Sequence, residues 1–281
     1  MKLSIIILFT FDSEVIYVKN LIKWLIKSDI PFSFEIIVVS NSNLNKFNEL
    51  KNLFSKEKNV KFLYNKKNLG YGQGNHQGIL KSNGEYFLIL NPDVELFKGN
   101  LDFMINHMEN NKDIGVLAPE LIYEDGTIQD VYRRFPTIID FVIKRSFLKK
   151  LPYFKRRLHK YLMYDRNPAL INEVDWVVGA LILVRRSMYD DVGGFDKRFF
   201  LFLEDTDLCR QMWQKGYKVV YFPEAKATHY NKRLSAGGVL DIFKNKMVRI
   251  HIYSALKYFW KYKFKERPHI SPRFDKNFKS D

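Results

Sequence analysis

The chain opens with alternating blocks of apolar runs and apolar stripes. Leu3 to Phe9 is an unbroken apolar run, the pattern of a strand buried on both faces. Val15, Val18, Leu21, Ile22, Leu25 and Ile26 then recur at helical spacing, with Asp12 or Ser13 placed to cap that helix. Phe34 to Val39 is a second apolar run whose polar exit is Ser40-Asn41-Ser42-Asn43. Lys46 to Lys58 predicts an amphipathic helix and Val60 to Tyr64 a short third strand. Strand, helix, strand, helix, strand with short connections predicts a right-handed parallel α/β sheet.

Tyr86 to Leu90 predicts a central strand, bounded by Gly84 and stopped by Pro92, which has no amide to donate. Asn91-Pro92-Asp93 therefore stands just past the carboxyl end of a strand, where open α/β sheets bind ligands. An acid there is a candidate ligand for a hard cation on a phosphate-bearing substrate; each of the three residues is also an ordinary turn former. Between the third strand and this one, Asn68 to Gly78 holds Gly70, Gly72, Gly74 and Gly78. Such spacing lets backbone amides approach an anion or lets a helix pack closely. It is not a dinucleotide fingerprint, because the turn after the first strand has no glycine.

The alternation ends near residue 120. Asn100 to about Asn110 predicts a helix, Ile114 to Leu117 a strand, and Asp125-Gly126 a hairpin turn. From Arg133-Arg134-Phe135-Pro136 onward comes a basic, aromatic, helical segment, either a membrane-surface element or an insertion with a solvated basic face. Val174 to Val184 predicts the longest apolar strand, with Gly179 marking a close approach by a ligand or another backbone. Gly193-Gly194-Phe195-Asp196 is a turn, and Glu204, Asp205 and Asp207 occupy the first turn of a helix that Gly216 stops. Acids there complement the helix dipole, but three carboxylates in four residues repel one another unless a ligand or cation uses them. Tyr217 to Phe222 predicts a strand, followed by His229, a lone histidine that is either structural or a ligand. Gly237 to about Lys265 predicts a final helix of Trp and Tyr among lysines, interfacial or packed on the domain, and 267–281 lacks apolar periodicity.

Composition narrows the classes. In 281 residues, 46% apolar and 16% aromatic content excludes disorder and supports one large domain with an appendage. Cys209 is the sole cysteine, so no intrachain disulfide forms, which fits a reducing compartment. The net charge of +15 favours anionic partners: nucleic acid, anionic lipid or a nucleotide substrate. Leu3 to Phe9 is too short for a targeting segment and no stretch reaches membrane-spanning length, so the expectation is a cytoplasmic protein, soluble or peripheral.

In this order and spacing the motifs resemble glycosyltransferase family 2. They are Ser4-Ile5-Ile6-Ile7 with Thr10-Phe11, Asn68-Leu69-Gly70-Tyr71 with Gly74-Asn75 and Gly78, Asn91-Pro92-Asp93, Trp176-Val177-Val178-Gly179-Ala180, and Gly193-Gly194-Phe195-Asp196 with Glu204-Asp205-Thr206-Asp207. The branch most resembled contains the rhamnosyltransferases of bacterial polysaccharide assembly, and the resemblance covers about residues 3 to 235. It implies an α/β fold of GT-A type, a mostly parallel nucleotide-binding sheet flanked by helices, with a C-terminal helical extension. Residues 1–120 would form the nucleotide-binding half, 121–235 the acceptor and catalytic half with a basic helical insertion at about 137–165, and 236–281 the basic aromatic tail.

By the same resemblance Asp205 is the catalytic base, Asp93 the metal-binding acid with Asn91 standing where a first Asp is frequent, and His229 completes a site for Mn²⁺ or Mg²⁺. Thr10, Phe11, Asp12, Ser40, Asn68, Gly70 and Asn75 fall on the donor side; Ser40 departs from the usual Asp. Trp176, Gly179, Ala180, Glu204 and Asp207 are acceptor-side candidates. The implied partners are a nucleoside-diphosphate sugar, a saccharide or lipid-diphosphate-linked acceptor and an anionic membrane surface at the inner face of the cell membrane, with no nucleic acid. A UDP-hexose or UDP-N-acetylhexosamine donor is the alternative within the family; a nucleic-acid binder and a sugar-binding module without catalysis are the alternatives outside it.

Overall fold

The computed structural model describes residues 1–230, 245–263 and 265. At its centre is a sheet of nine strands. Its first half follows from the apolar runs: β1 (Leu3–Phe9) is buried at every position and pairs in parallel with β2 (Phe34–Ser40) and β4 (Tyr86–Leu90), while β3 (Val60–Tyr64) extends β2. The helices between them are α1 (Val15–Lys27), α2 (Leu44–Leu53) and α3 (Tyr71–Leu80). The helical start before α1 is not capped by Asp12 or Ser13. Glu14 reaches back instead, its carboxylate accepting from the amides of Thr10 (2.7 Å) and Phe11 (2.9 Å).

The glycine-rich stretch is a helix rather than a loop. Gly70 (φ +80°) precedes α3, and Gly72, Gly74 and Gly78 lie inside it. A Cβ on Gly78 would come within 2.8 Å of both Ile6 and Val39, and one on Gly74 within 2.8 Å of Leu8. These glycines bring the helix onto the sheet, the close-packing reading of the two.

The second half adds antiparallel strands to the sheet. β5 (Val94–Leu96), α4 (Asn100–Asn110) and β6 (Ile114–Ile122) are followed by β7 (Tyr132–Arg133), α5 (Ile138–Arg145), α6 (Pro152–Tyr161), β8 (Asn172–Glu173) and β9 (Trp176–Val177). The run from Val174 to Val184 is not one strand: it breaks at Gly179, and β10 (Leu181–Arg185) begins anew. Because the chain re-enters at the carboxyl edge of β4, where Ala180 O accepts from Asn91 N at 2.9 Å, β10 runs antiparallel to both β4 and β6. After α7 (Arg186–Asp191) and α8 (Glu204–Gln214), β11 (Lys218–His229) runs parallel to β6, longer than expected, with an irregularity between Phe222 and Lys226. The order is β3-β2-β1-β4-β10-β6-β11-β5, with β8 on β11 and a separate β7–β9 pair.

The last helix, α9 (Lys246–Lys261), packs on the domain. Tyr258, Phe259 and Tyr262 form a buried cluster with Phe199 and Leu203, and Ser254 donates to Leu201 O at 2.8 Å. The 237–244 part of the expected tail helix and the expected loose end at 267–281 lie outside the described residues. Among the described residues no helix is long and apolar enough to cross a membrane.

Candidate active site

Four chain segments meet at the carboxyl edge of β4: Asn91–Asp93, the start of α3, the Gly179 turn and the start of α8. Tyr71 ties three of them. Its hydroxyl lies 2.6 Å from Gly179 O and 2.9 Å from Asn91 Oδ1. A phenol carries one hydrogen; the shorter contact takes it, and a reversed Asn91 amide would satisfy the other by donating Nδ2. Gly179 N in turn donates to Asp205 Oδ2 at 3.1 Å. A Cβ on Gly179 would meet the Tyr71 ring at 3.3 Å and Asp205 Cβ at 3.5 Å, so the turn approaches side chains on both sides.

Phe202 and Leu203, with φ of +69° and +68°, turn the chain into α8. Two successive left-handed residues that are not glycine cost on the order of 1–3 kcal/mol each and persist only where packing holds them. Phe202 stacks on His251 with centroids 4.6 Å apart, and Leu203 is buried against α9. This turn presents Asp205, whose Oδ1 accepts from Thr206 N at 2.7 Å.

The three acids of this helix do not share one surface. Glu204 is buried beside Gly72, and its Oε2 finds no donor. Burial, then the charge of Asp205, pushes the Glu204 carboxyl well above the usual carboxylate range. Burial also raises Asp205, but the Thr206 and Gly179 amides and the charge of Arg133 act the other way. Two adjacent buried carboxyls do not ionise together, so the negative charge settles on Asp205 and Glu204 keeps its proton. Asp207 points out of the cleft into the α9 contact. Lys261 Nζ lies 2.7 Å from Asp207 Oδ1, and Tyr262 Oη donates to the same oxygen at 2.7 Å. That ion pair, extended from Lys261 to Asp196 at 2.9 Å, accounts for Asp207 and removes it from the acceptor side.

Asp93 and His229 come together although 136 positions separate them in sequence. His229 Nε2 lies 3.6 Å from Asp93 Oδ1. Gln129 decides the tautomer: its Nε2 donates to His229 O at 2.8 Å, which turns its Oε1 toward His229 Nδ1 at 3.0 Å. Nδ1 therefore carries the hydrogen, and Nε2 presents a bare lone pair to a carboxylate. Burial lowers the His229 pKa, against the opposing pull of Asp93, so the ring stays neutral. A lone pair facing a carboxylate at this separation is a pair of donors that a divalent cation could bridge. Among the described residues no group of three or more His, Cys, Asp or Glu side chains could hold a metal, so further ligands would be substrate oxygens or water.

On the opposite rim, Asp12 accepts from Ser42 Oγ and Asn43 Nδ2, binding the end of β1 to the end of β2. Ser40 is a buried strand residue whose Oγ accepts from Ser42 N at 3.1 Å, and Phe11 is half exposed at this edge. Asn68 Oδ1 accepts from Gly70 N at 2.8 Å, and Gly70 O accepts from Asn41 Nδ2 at 3.1 Å, so the Gly70 backbone is already used within the protein. Asn75 donates to Tyr71 O at 3.0 Å and leaves its buried Oδ1 without a partner. Trp176 is buried, donating Nε1 to Arg134 O at 2.8 Å, with the Arg133 guanidinium 4.9 Å above its ring. Ala180 serves through its carbonyl, holding Asn91 N.

The structure thus unites Asn91, Asp93, His229, Gly179 and Asp205 around one cleft. Thr10, Phe11, Asp12 and Ser40 stand on its rim, and Asp207 lies outside. Sequence reasoning missed three residues. Tyr71 lay in the glycine-rich motif without a role, Arg133 was one cation among many, and Gln129 carries no local signal.

A mixed sheet flanked by helices, with its carboxyl edge open to these side chains, has the GT-A glycosyltransferase fold. Solved structures agree: a crystal structure of GalNAc-T7 with UDP, GalNAc and Mn²⁺ superposes with TM-score 0.65 at 16% identity, over 94% of this chain and 49% of that one. One of S. aureus TarS 1-349 with UDP-GlcNAc superposes with TM-score 0.56 at 17% identity, over 85% and 62%. Residues 5–193 match Glycosyl transferase family 2, and the chain belongs to that family. It is 28% identical over 186 residues to the N-acetylglucosaminyl-diphospho-decaprenol L-rhamnosyltransferase of Mycobacterium tuberculosis, covering 61% of this chain and 59% of that protein's length. It is also 28% identical over 197 residues to the rhamnosyltransferase WbbL of Escherichia coli K12, covering 67% and 69%.

Proposed function

We propose that the protein transfers a sugar, rhamnose in the first instance, from a nucleoside diphosphate to a saccharide carried on a lipid diphosphate, with inversion, in bacterial cell-surface polysaccharide synthesis. The observation that carries this is the placing of Asp205 and the Asp93–His229 pair in one cleft at the carboxyl edge of the sheet. Asp93 and His229 would hold a Mn²⁺ or Mg²⁺ ion, which when bound neutralises charge growing on the diphosphate leaving group. Asp205, ionised beside a protonated Glu204, accepts the proton of the acceptor hydroxyl as it attacks. A single displacement with one base inverts the anomeric carbon. The names of both rhamnosyltransferase relatives support rhamnose, and the mycobacterial one supports a lipid-diphosphate acceptor.

The same reading takes in a membrane surface. The outward stripe of α9 runs Lys246, Arg249, Tyr253, Leu256 and Trp260, spaced alternately by three and four, with Lys263 exposed in the turn just beyond. Tyr253, Leu256 and Trp260 are 61%, 62% and 78% exposed, between cations at each end, the composition of a helix lying on an anionic leaflet.

The test is a thermal-shift screen of dTDP, UDP and GDP with and without Mn²⁺ or Mg²⁺. One nucleotide at a hundred times its Kd adds ~2.7 kcal/mol, a Tm rise on the order of 5–10 °C, only with the cation. No rise with any nucleotide and metal overturns the reading; a rise with UDP alone moves the donor to a UDP-sugar.

A further inference from the structure

Among the described residues, the guanidinium groups of Arg185 and Arg157 are engaged within the protein. Arg185 donates to Ile114 O, Met108 O, Asn111 O and Tyr86 Oη, and Arg157 pairs with Asp140. Arg210 keeps its Nε unpaired but is sealed between Tyr258, Tyr262 and Phe135.

Two others meet at His251, and the charge of one of them, Arg133, also reaches Asp205. Arg145, at the end of α5, is only 8% exposed. Its Nη2 lies 2.6 Å from His251 Nδ1 and its Nη1 has no partner. Burial lowers its pKa, and among the described residues no carboxylate acts on it. Arg133, on β7, spreads over Trp176 and gives Nη2 to Asp130 O at 3.0 Å, while its buried Nε is unpaired.

The two belong to one neighbourhood. β7 pairs Arg133 with Trp176, three residues before the Gly179 amide that holds Asp205. The charge of Arg133 reaches Asp205 and His251, and that of Arg145 reaches His251. His251 stacks on Phe202, three residues before Asp205, and meets Phe141 of α5 edge-on. Burying the Arg145 cation with no carboxylate acting on it among the described residues is costly, and the unfilled N–H groups of Arg145 and Arg133 add to the cost; a diphosphate supplies both charge and acceptors.

We propose that Arg133 and Arg145 form an anion subsite that binds the diphosphate of the lipid-linked acceptor. This deepens the function proposed above and rests on it. A sugar joined directly to that diphosphate then lies between the subsite and Asp205, and the lipid leaves toward α5 and α9, where Ile138, Ile139, Val142 and Leu256 are exposed.

The test uses geranyl diphosphate as probe, by calorimetry on the full chain in EDTA, so that no divalent ion bridges it to Asp93 and His229. Wild type should bind it, and Arg145→Gln and Arg133→Gln should each weaken binding at least tenfold while dTDP with Mn²⁺ still raises Tm as in wild type. Melting curves check folding; if Arg145→Gln fails to fold, Arg133→Gln alone decides. No binding by wild type, or equal binding by the folded variants, overturns the subsite. Displacement of the probe by dTDP would assign it to the donor. Phosphatidylglycerol vesicles separate a headgroup from an acceptor: their binding should be unchanged in the variants, and a parallel tenfold loss would make the ligand a lipid headgroup instead. Failure of the nucleotide screen with an intact geranyl diphosphate result would instead remove the transferase reading and leave the anion site standing.

Discussion

His229 presents an unprotonated Nε2 to Asp93 Oδ1 across 3.6 Å because Gln129, clamped to the His229 carbonyl, holds the hydrogen on the other ring nitrogen. The pair is oriented by a residue that touches neither the carboxylate nor the cleft. Asp93→Ala and His229→Ala should abolish the metal-dependent thermal shift by nucleotide. Gln129→Leu should keep both ligands yet weaken metal affinity ~10–100-fold, the usual effect of losing the partner that orients a ligating histidine. A titration of Mn²⁺ at fixed nucleotide reads this directly; an unchanged midpoint in Gln129→Leu would mean the ring needs no such support.

Asp205 and Asp207 are two residues apart, about 200° around the helix axis, and so have different work. Asp205→Asn keeps size but cannot accept the proton: turnover should fall ~10²–10⁴-fold with nucleotide affinity within a few-fold. Glu204→Gln imitates the protonated acid already present and should cost far less. Asp207→Asn leaves Lys261 with Asp196 alone and takes a charged acceptor from Tyr262, so it should show in stability, at ~1.5–3 kcal/mol, rather than in the ratio of turnover to folded protein. Near-normal turnover in Asp205→Asn would place the base elsewhere.

The parts of the fold legible in sequence are those where one physical pressure acts. β1, β2 and β4 are buried on both faces, so their apolar runs are continuous and unmistakable. Strand direction leaves no such mark, and the antiparallel entry of β10 emerges only from where the Gly179 turn is anchored. In α9 both faces carry aromatics, so composition fits docking and packing alike. The structure divides them: Val248, Ala255, Tyr258 and Phe259 turn inward, Tyr253, Leu256 and Trp260 outward. The candidate acids were visible as charges at a strand end and a helix start. Their partners Gln129, Tyr71 and Lys261 were not, because those contacts span from 20 to more than 100 positions.

His251 gives the protein a pH signature. Burial, then the cations Arg145, Lys144 and Arg133, press its pKa down to about 3. The unfolded chain takes up that proton near pH 6.5 and the folded one does not, so this contribution is complete above pH 6.5 and is lost as pH falls toward 3. The loss over that window is roughly 3–5 kcal/mol. His251→Asn keeps an acceptor for Arg145 but no titrating ring. It should be less stable than wild type at pH 8, and the gap should close or reverse by pH 4 in urea melts. A gap independent of pH would show that His251 does not stay neutral in the folded protein.

The outward stripe of α9 separates docking from folding. Removing the whole helix would unfold the domain, since Tyr258 and Tyr262 lie over Arg210 and Lys261 pairs with Asp207. Changes confined to the exposed side avoid this. Trp260→Ser with Leu256→Ser removes two side chains each worth ~1.5–3 kcal/mol when buried, so even partial insertion into a leaflet makes them worth ~10–100-fold in vesicle affinity. Neither is buried, so Tm should move by less than 2 °C, an order-of-magnitude bound for surface substitutions. Lys246, Arg249 and Lys263 make the expected binding electrostatic as well: it should need phosphatidylglycerol and weaken as salt shortens the Debye length from about 10 Å at 0.1 M. Flotation of both proteins with phosphatidylglycerol and with phosphatidylcholine vesicles gives the answer. Equal flotation of the double variant and wild type would show that this face does not meet a membrane.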